Sequence, residues 1–166
     1  MPRNSFDDGY KLNAADVEVA VARYLGARVN IIVPNVFWGL GLNYECDLFS
    51  VSPSGYATEV EIKVSRSDIK ADLKKWQAHR SKLIRRFFFA VPEYLSDDDN
   101  IPKDCGLISV DKNLQCKALR PPRVNKESRR LRDGEIHHLL HMGCMRIWGL
   151  KESNSRLAKR LYGKQK

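Results

Sequence analysis

With 166 residues, 43% of them hydrophobic and 30% charged, the chain has the size and composition of one globular domain rather than a disordered segment. No apolar run approaches the roughly 20 residues of a bilayer span, and the polar first ten residues lack the pattern of a secretory signal, so a cytoplasmic protein with no membrane role is expected. The formal charge of +9 is concentrated late, since residues 101–166 hold 16 Lys and Arg against 6 Asp and Glu; this favours a long anionic polymer as partner, with a merely solvated basic surface as the alternative.

Asn13 is placed to cap a helix over residues 14–25, whose Val17, Ala20, Val21, Tyr24 and Leu25 share one face before Gly26 ends it. Residues 29–33 read as a buried strand by their β-branched content. Pro34 with Gly39 and Gly41 then predicts an irregular stretch of the kind that borders active sites. Residues 44–51 and 56–65 form a predicted hairpin turning at Ser52-Pro53-Ser54-Gly55. A charged helix over 67–83, a strand over 86–91, an acidic loop over 93–103 and a strand over 107–110 follow, the last pairing with 114–119. The basic segment 120–132 leads to a helix over 133–148 and a shorter one over 153–161. The expected organisation is a single domain, with a core over about 13–119 and a basic helical extension over about 120–166. Cys46, Cys105, Cys116 and Cys144 are scattered without a CxxC pair and read as reduced, mostly buried thiols.

Side chains alternate along a strand, so Glu59, Glu61 and Lys63 project together while Val60, Ile62 and Val64 enter the core. On the partner strand Glu45, Asp47 and Phe49 also share a face, and the hairpin brings Asp47 near Glu61. Two carboxylates can hold a hard divalent cation, Mg²⁺ or Mn²⁺, with waters and a substrate phosphate completing the shell. Lys63 is then placed to orient or deprotonate the attacking water, which describes phosphodiester hydrolysis. The competing reading is a solvated sheet face whose Glu and Lys pair harmlessly. Asp68-Ile69-Lys70 and Asp72-Leu73-Lys74 repeat the acid-x-lysine spacing, but on a predicted helix, where i and i+2 diverge.

In this order of elements, with Asp47 preceding Glu61-Ile62-Lys63, the chain resembles the PD-(D/E)xK nuclease superfamily. More narrowly, Val60-Glu61-Ile62-Lys63-Val64-Ser65-Arg66, Asp72, Lys75-Trp76, Phe89-Ala90-Val91-Pro92, Pro102 and Gly106-Leu107-Ile108 look like the MmcB-like DNA repair proteins, a resemblance covering about residues 13–110. It implies a restriction-endonuclease-like α/β core, a mixed sheet flanked by helices in the order α-β-β-β-α-β. It also implies a Mg²⁺- or Mn²⁺-dependent deoxyribonuclease acting in repair or recombination, with Asp47 and Glu61 as metal ligands and Lys63 as catalytic lysine. Glu18 resembles the helix-1 acid that some members add to the metal site, and reads equally as a stripe-edge residue in water. Gln77 lies where some branches place a glutamine near the metal, although Ser81 stands where they carry a tyrosine. Cys46 replaces the proline that often precedes the aspartate. Cutting both strands with one site per chain takes two copies, which raises a homodimer. The alternative is a non-catalytic DNA-binding module that retains the nuclease fold.

For DNA phosphates the candidates are Ser65, Arg66 and Lys70 after the lysine strand, and Arg120, Arg123, Arg129 and Arg130 in the basic segment. His137, His141 and Cys144 share a face of the late helix and have zinc-ligand chemistry, but with no fourth ligand evident a core interface is the expected use; His138 points elsewhere.

Overall fold

A computed structural model describes residues 11–72 and 81–162. Its first helix, α1 (Ala14–Tyr24), begins where a reciprocal capping box forms: the Asn13 and Asp16 side chains each accept the other's backbone N–H at 3.0 Å. Val17, Ala20 and Val21 are buried, whereas Tyr24, expected on the same face, stays 46% exposed. Gly26, at φ +78°, accepts the N–H groups of Val29 and Asn30 and turns the chain.

That turn shifts the first strand later than expected. β1 (Ile31–Val36) excludes the exposed Val29 and runs through Pro34 instead of breaking there. The sheet order explains the tolerance: β1 is an edge strand, where a missing N–H breaks no ladder on the outer side. β2 (Cys46–Val51) and β3 (Ala57–Ile62) form the expected antiparallel hairpin, with Phe49 opposite Glu59 and Leu48 opposite Val60. β3 stops at Ile62, and Ser65 caps α2 (Arg66–Asp72) through its hydroxyl, which accepts the Asp68 N–H.

The helix expected to reach residue 83 does not: Leu83 lies in a turn held by Ser81, and β4 (Ile84–Pro92) begins at the next residue. A short 3-10 turn (Glu93–Leu95) interrupts the acidic loop before β5 (Gly106–Val110), which pairs antiparallel with β6 (Cys116–Arg120). The six strands lie in chain order, with the β3–β4 and β4–β5 pairs parallel and the others antiparallel. The chain thus opens with the expected α-β-β-β-α-β order on a mixed sheet.

α3 (Asp133–Tyr162) is one helix of 30 residues where two were expected. Gly149 alone costs only about 1 kcal/mol, too little to break a helix without a proline, and the Arg156–Glu152 pair at 3.5 Å supports the turn just beyond it. Among the described residues no helix is long and apolar enough to cross a membrane. All four cysteines are free; Cys46 and Cys105 are buried, but Cys144 is exposed.

Both sheet faces are covered. Val17, Ala20 and Val21 of α1 pack with Leu48, Val60, Ala90 and Ile108, while Ile69 of α2 and Leu139 and Met142 of α3 join the core of Phe49, Phe89, Val91 and Leu107. The competing reading of a solvated sheet face does not hold. The face carrying the carboxylates is itself buried, with Glu59 at 0% and Glu61 at 4% exposure, because α2 and α3 close over it.

Candidate active site

The hairpin register, continued by one pair beyond Leu48 and Val60, sets Asp47 opposite Glu61. Asp47 Oδ2 accepts the Ile62 backbone N–H at 2.7 Å, which fixes the carboxylate at the open end of the ladder. Glu61 Oε2 accepts from Lys63 Nζ at 3.0 Å. Glu61 Oε1 is buried and has no hydrogen-bond partner among the described residues. Burial first, and the Asp47 charge second, push the Glu61 carboxyl up to about 8 against the opposing pull of Lys63. A buried carboxylate with an unsatisfied oxygen beside a second carboxylate is costly, and such costs concentrate at functional sites.

Glu59 is engaged elsewhere. Tyr44 donates its hydroxyl to Glu59 Oε2 at 2.9 Å; burial and the Glu59 charge raise both the Tyr44 and Cys46 protons well above their usual range. Tyr44, expected as the first residue of the strand, instead precedes β2, and its part in holding Glu59 has no signal in the alternation. Glu45 is exposed and lies outside the strand. Burial and then the Asp47 charge raise the Glu18 carboxyl, while Arg146 of α3 opposes them. Among the described residues no three His, Cys, Asp or Glu side chains converge into a ready metal cluster, so Glu18 is a neighbour of the Asp47–Glu61 pair rather than part of a closed cage. Gln77 and Trp76 lie outside the described residues.

The proposed phosphate contacts divide. Ser65 donates to Asp68 Oδ2 at 2.6 Å as part of its capping role, and the exposed Arg66 reaches Asp98 at 3.9 Å. Lys70 is exposed. Arg120 is bound into the fold, donating to the Pro102 and Cys105 carbonyls at 2.7 Å each. Arg129 makes a two-bond pair with Glu135 at 2.8 and 2.6 Å. Arg123 and Arg130 remain exposed; Arg85 lies over the Tyr56 ring at 4.1 Å and Arg130 over it at 5.5 Å. Tyr56 adjoins the start of β3 and Glu61 lies near its end, five residues on, roughly 17 Å at strand rise. Arg130 thus lies at the far end of the strand from the carboxylates.

On α3, His137, His141 and Cys144 face solvent instead of forming the expected core interface. The histidine that packs is His138, whose Nε2 lies 3.2 Å from the Trp38 carbonyl and whose ring meets Trp38 edge-on at 4.3 Å. Leu139 and Met142 carry the buried face of the helix. Arg146, which sequence reading did not single out, donates to the Asn35 carbonyl across 111 positions; that separation leaves no local pattern to find it by.

No curated protein matches this sequence. A solved protein of unknown function from Silicibacter pomeroyi is similar in fold, with a TM-score of 0.60 at 23% identity over 95% of this chain and 97% of that one. The MmcB-like family, described as DNA repair protein MmcB-like, matches residues 3–152. With nearly the whole sequence matched, the chain belongs to the MmcB-like DNA repair protein family.

Proposed function

We propose that the chain is a divalent-metal-dependent DNA nuclease with a restriction-endonuclease-like core of the PD-(D/E)xK kind, acting in repair through Asp47, Glu61 and Lys63. The observation that carries this reading is the unsatisfied, buried Oε1 of Glu61 beside Asp47 and Lys63. Mg²⁺ or Mn²⁺ fits this donor set, because two carboxylates with waters and a substrate phosphate make its usual shell. When bound, the ion would polarise the phosphate and lower the pKa of a coordinated water.

The chain's own residues do the rest. Asp47 is held ready by the Ile62 N–H, so it needs no reorganisation to act as a ligand. Glu61 supplies the second carboxylate, and Lys63, 3.0 Å from it, orients the attacking water and offsets charge that builds on the phosphate oxygens. Exposed Arg123, Arg130, Arg66 and Lys70 supply sequence-independent grip on the DNA backbone.

The test is cleavage of linear, nicked, flapped and branched DNA with Mg²⁺ or Mn²⁺, paired with calorimetric titration of Mn²⁺. Cleavage lost in Lys63→Ala, with a Mn²⁺ isotherm present in wild type and lost in Asp47→Ala, is the expected result. Intact DNA across the panel with no isotherm, together with DNA affinity unchanged in Lys63→Ala, would point to the non-catalytic binding module instead.

A further inference from the structure

A cavity of about 670 Å³ lies on the edge-strand side of the carboxylates, walled by α1, β1, the loop that follows it and α3. Asn35, one of its lining residues, stands opposite Asp47 when the β1–β2 register is read between the Pro34–Leu48 and Val36–Cys46 pairs. Glu18 lines it from α1. The cavity therefore opens beside the candidate cleavage site.

Its lining combines two chemistries. Phe37 and Trp38 are consecutive aromatics, 55% and 50% exposed, and Met145 adds an apolar surface. Arg146 supplies a permanent cation, steadied by its bond to the Asn35 carbonyl. The loop is built to hold its place: Gly39, at φ +84°, passes so close to α3 that a Cβ there would lie 1.9 Å from the His138 ring. Flat apolar faces next to a guanidinium are what a nucleobase and its phosphate require, and they match the modes by which single strands are bound. The volume lies in the usual range for a small-molecule site. A paired base in a duplex cannot present its faces to such a cavity.

We infer that this cavity receives an unstacked nucleobase of single-stranded or unpaired DNA, with Phe37 and Trp38, inclined 53° to each other, meeting it by face and by edge and Arg146 contacting the adjoining phosphate. The substrate class is then DNA with an unpaired segment at the site. This rests on the nuclease reading for the identity of the neighbouring scissile phosphate, but not for the binding itself.

The experiment separates the two. Binding of a fluorescein-labelled oligothymidylate and of a duplex of equal length is measured by anisotropy in EDTA, where no cleavage occurs, for the full chain and for Phe37→Ala, Trp38→Ala and Trp38→Phe. Single-strand affinity is expected to fall about ten- to a hundred-fold in each alanine variant, with Trp38→Phe near wild type and duplex affinity within about two-fold. Thermal melts identify any variant that fails to fold, and Phe37→Ala then carries the test for Trp38→Ala. Unchanged single-strand affinity, or equal loss on both DNAs, overturns the inference, and a different occupant of the cavity would give the former. A protein that cuts nothing but shows the stacking-dependent loss refutes the nuclease reading alone. One that cuts DNA without that loss refutes the cavity alone.

Discussion

The Asp47 carboxylate accepts the backbone N–H of Ile62 at 2.7 Å across the β2–β3 ladder, so the acid of one strand is fixed by the residue next to the acid of the other. This bond keeps two carboxylates together in a buried place where their repulsion would otherwise part them. Glu61 carries the consequence, with its carboxyl raised to about 8.

Replacing Glu61 with Gln should stabilise the metal-free protein. A carboxyl whose folded value lies above its unfolded value favours the native state fully below about 4.5, and that contribution is lost as pH rises through about 8. In EDTA at pH 9, Glu61→Gln is expected to gain about 1–3 kcal/mol over wild type in urea unfolding, and to gain nothing near pH 4. A variant less stable than wild type at pH 9 would contradict the cost assigned to this buried charge.

Gly39→Ala should disturb both stability and the cavity. Its added Cβ would meet the His138 ring at 1.9 Å, from a backbone already at φ +84°. A loss of about 1–3 kcal/mol is expected, with a change in Trp38 emission as the loop lifts away. An unaltered melt and spectrum would show that the loop is not held against α3 in solution.

Arg120 and Arg123 should part company. Arg120 satisfies the carbonyls of Pro102 and Cys105, so Arg120→Ala is expected to cost about 1–3 kcal/mol of stability. The exposed Arg123 should leave stability within about 0.5 kcal/mol when changed to Ala, while the salt dependence of DNA binding becomes shallower. Chemical denaturation and DNA binding at several salt concentrations separate the two roles.

The Arg129–Glu135 pair predicts an acid-sensitive contribution at the start of α3. Its hydrogen bonds from Arg129 lower the Glu135 carboxyl to about 2, so its stabilisation is present above about 4.5 and lost as pH falls from there toward 2. Glu135→Gln should cost about 1 kcal/mol at pH 7, held to that by solvent screening of the partly exposed guanidinium, and the gap to wild type should close on acidification. A gap that stays constant from pH 7 to pH 3 would show that the Glu135 charge is not what stabilises the start of α3.

Local chemistry made much of this legible in the sequence. Period-two alternation and a Ser-Pro-Ser-Gly turn determine which face Asp47, Glu61 and Lys63 share and that the strands carrying them adjoin, and the Asn13 cap fixes where α1 begins. The tertiary structure decided what surrounds them. Alternation separates polar from apolar positions but cannot say that both faces are covered; the cover over Glu59 and Glu61 comes from α2 and from α3, whose Leu139 lies 78 positions beyond Glu61. Net charge counts Arg120 and Arg129 with Arg123 and Arg130, yet only three-dimensional proximity to Pro102, Cys105 and Glu135 commits the first two to the fold. The cavity at Phe37 and Trp38 likewise exists only because α3 crosses the edge strand and places Arg146 against Asn35, a long-range contact that no local pattern encodes.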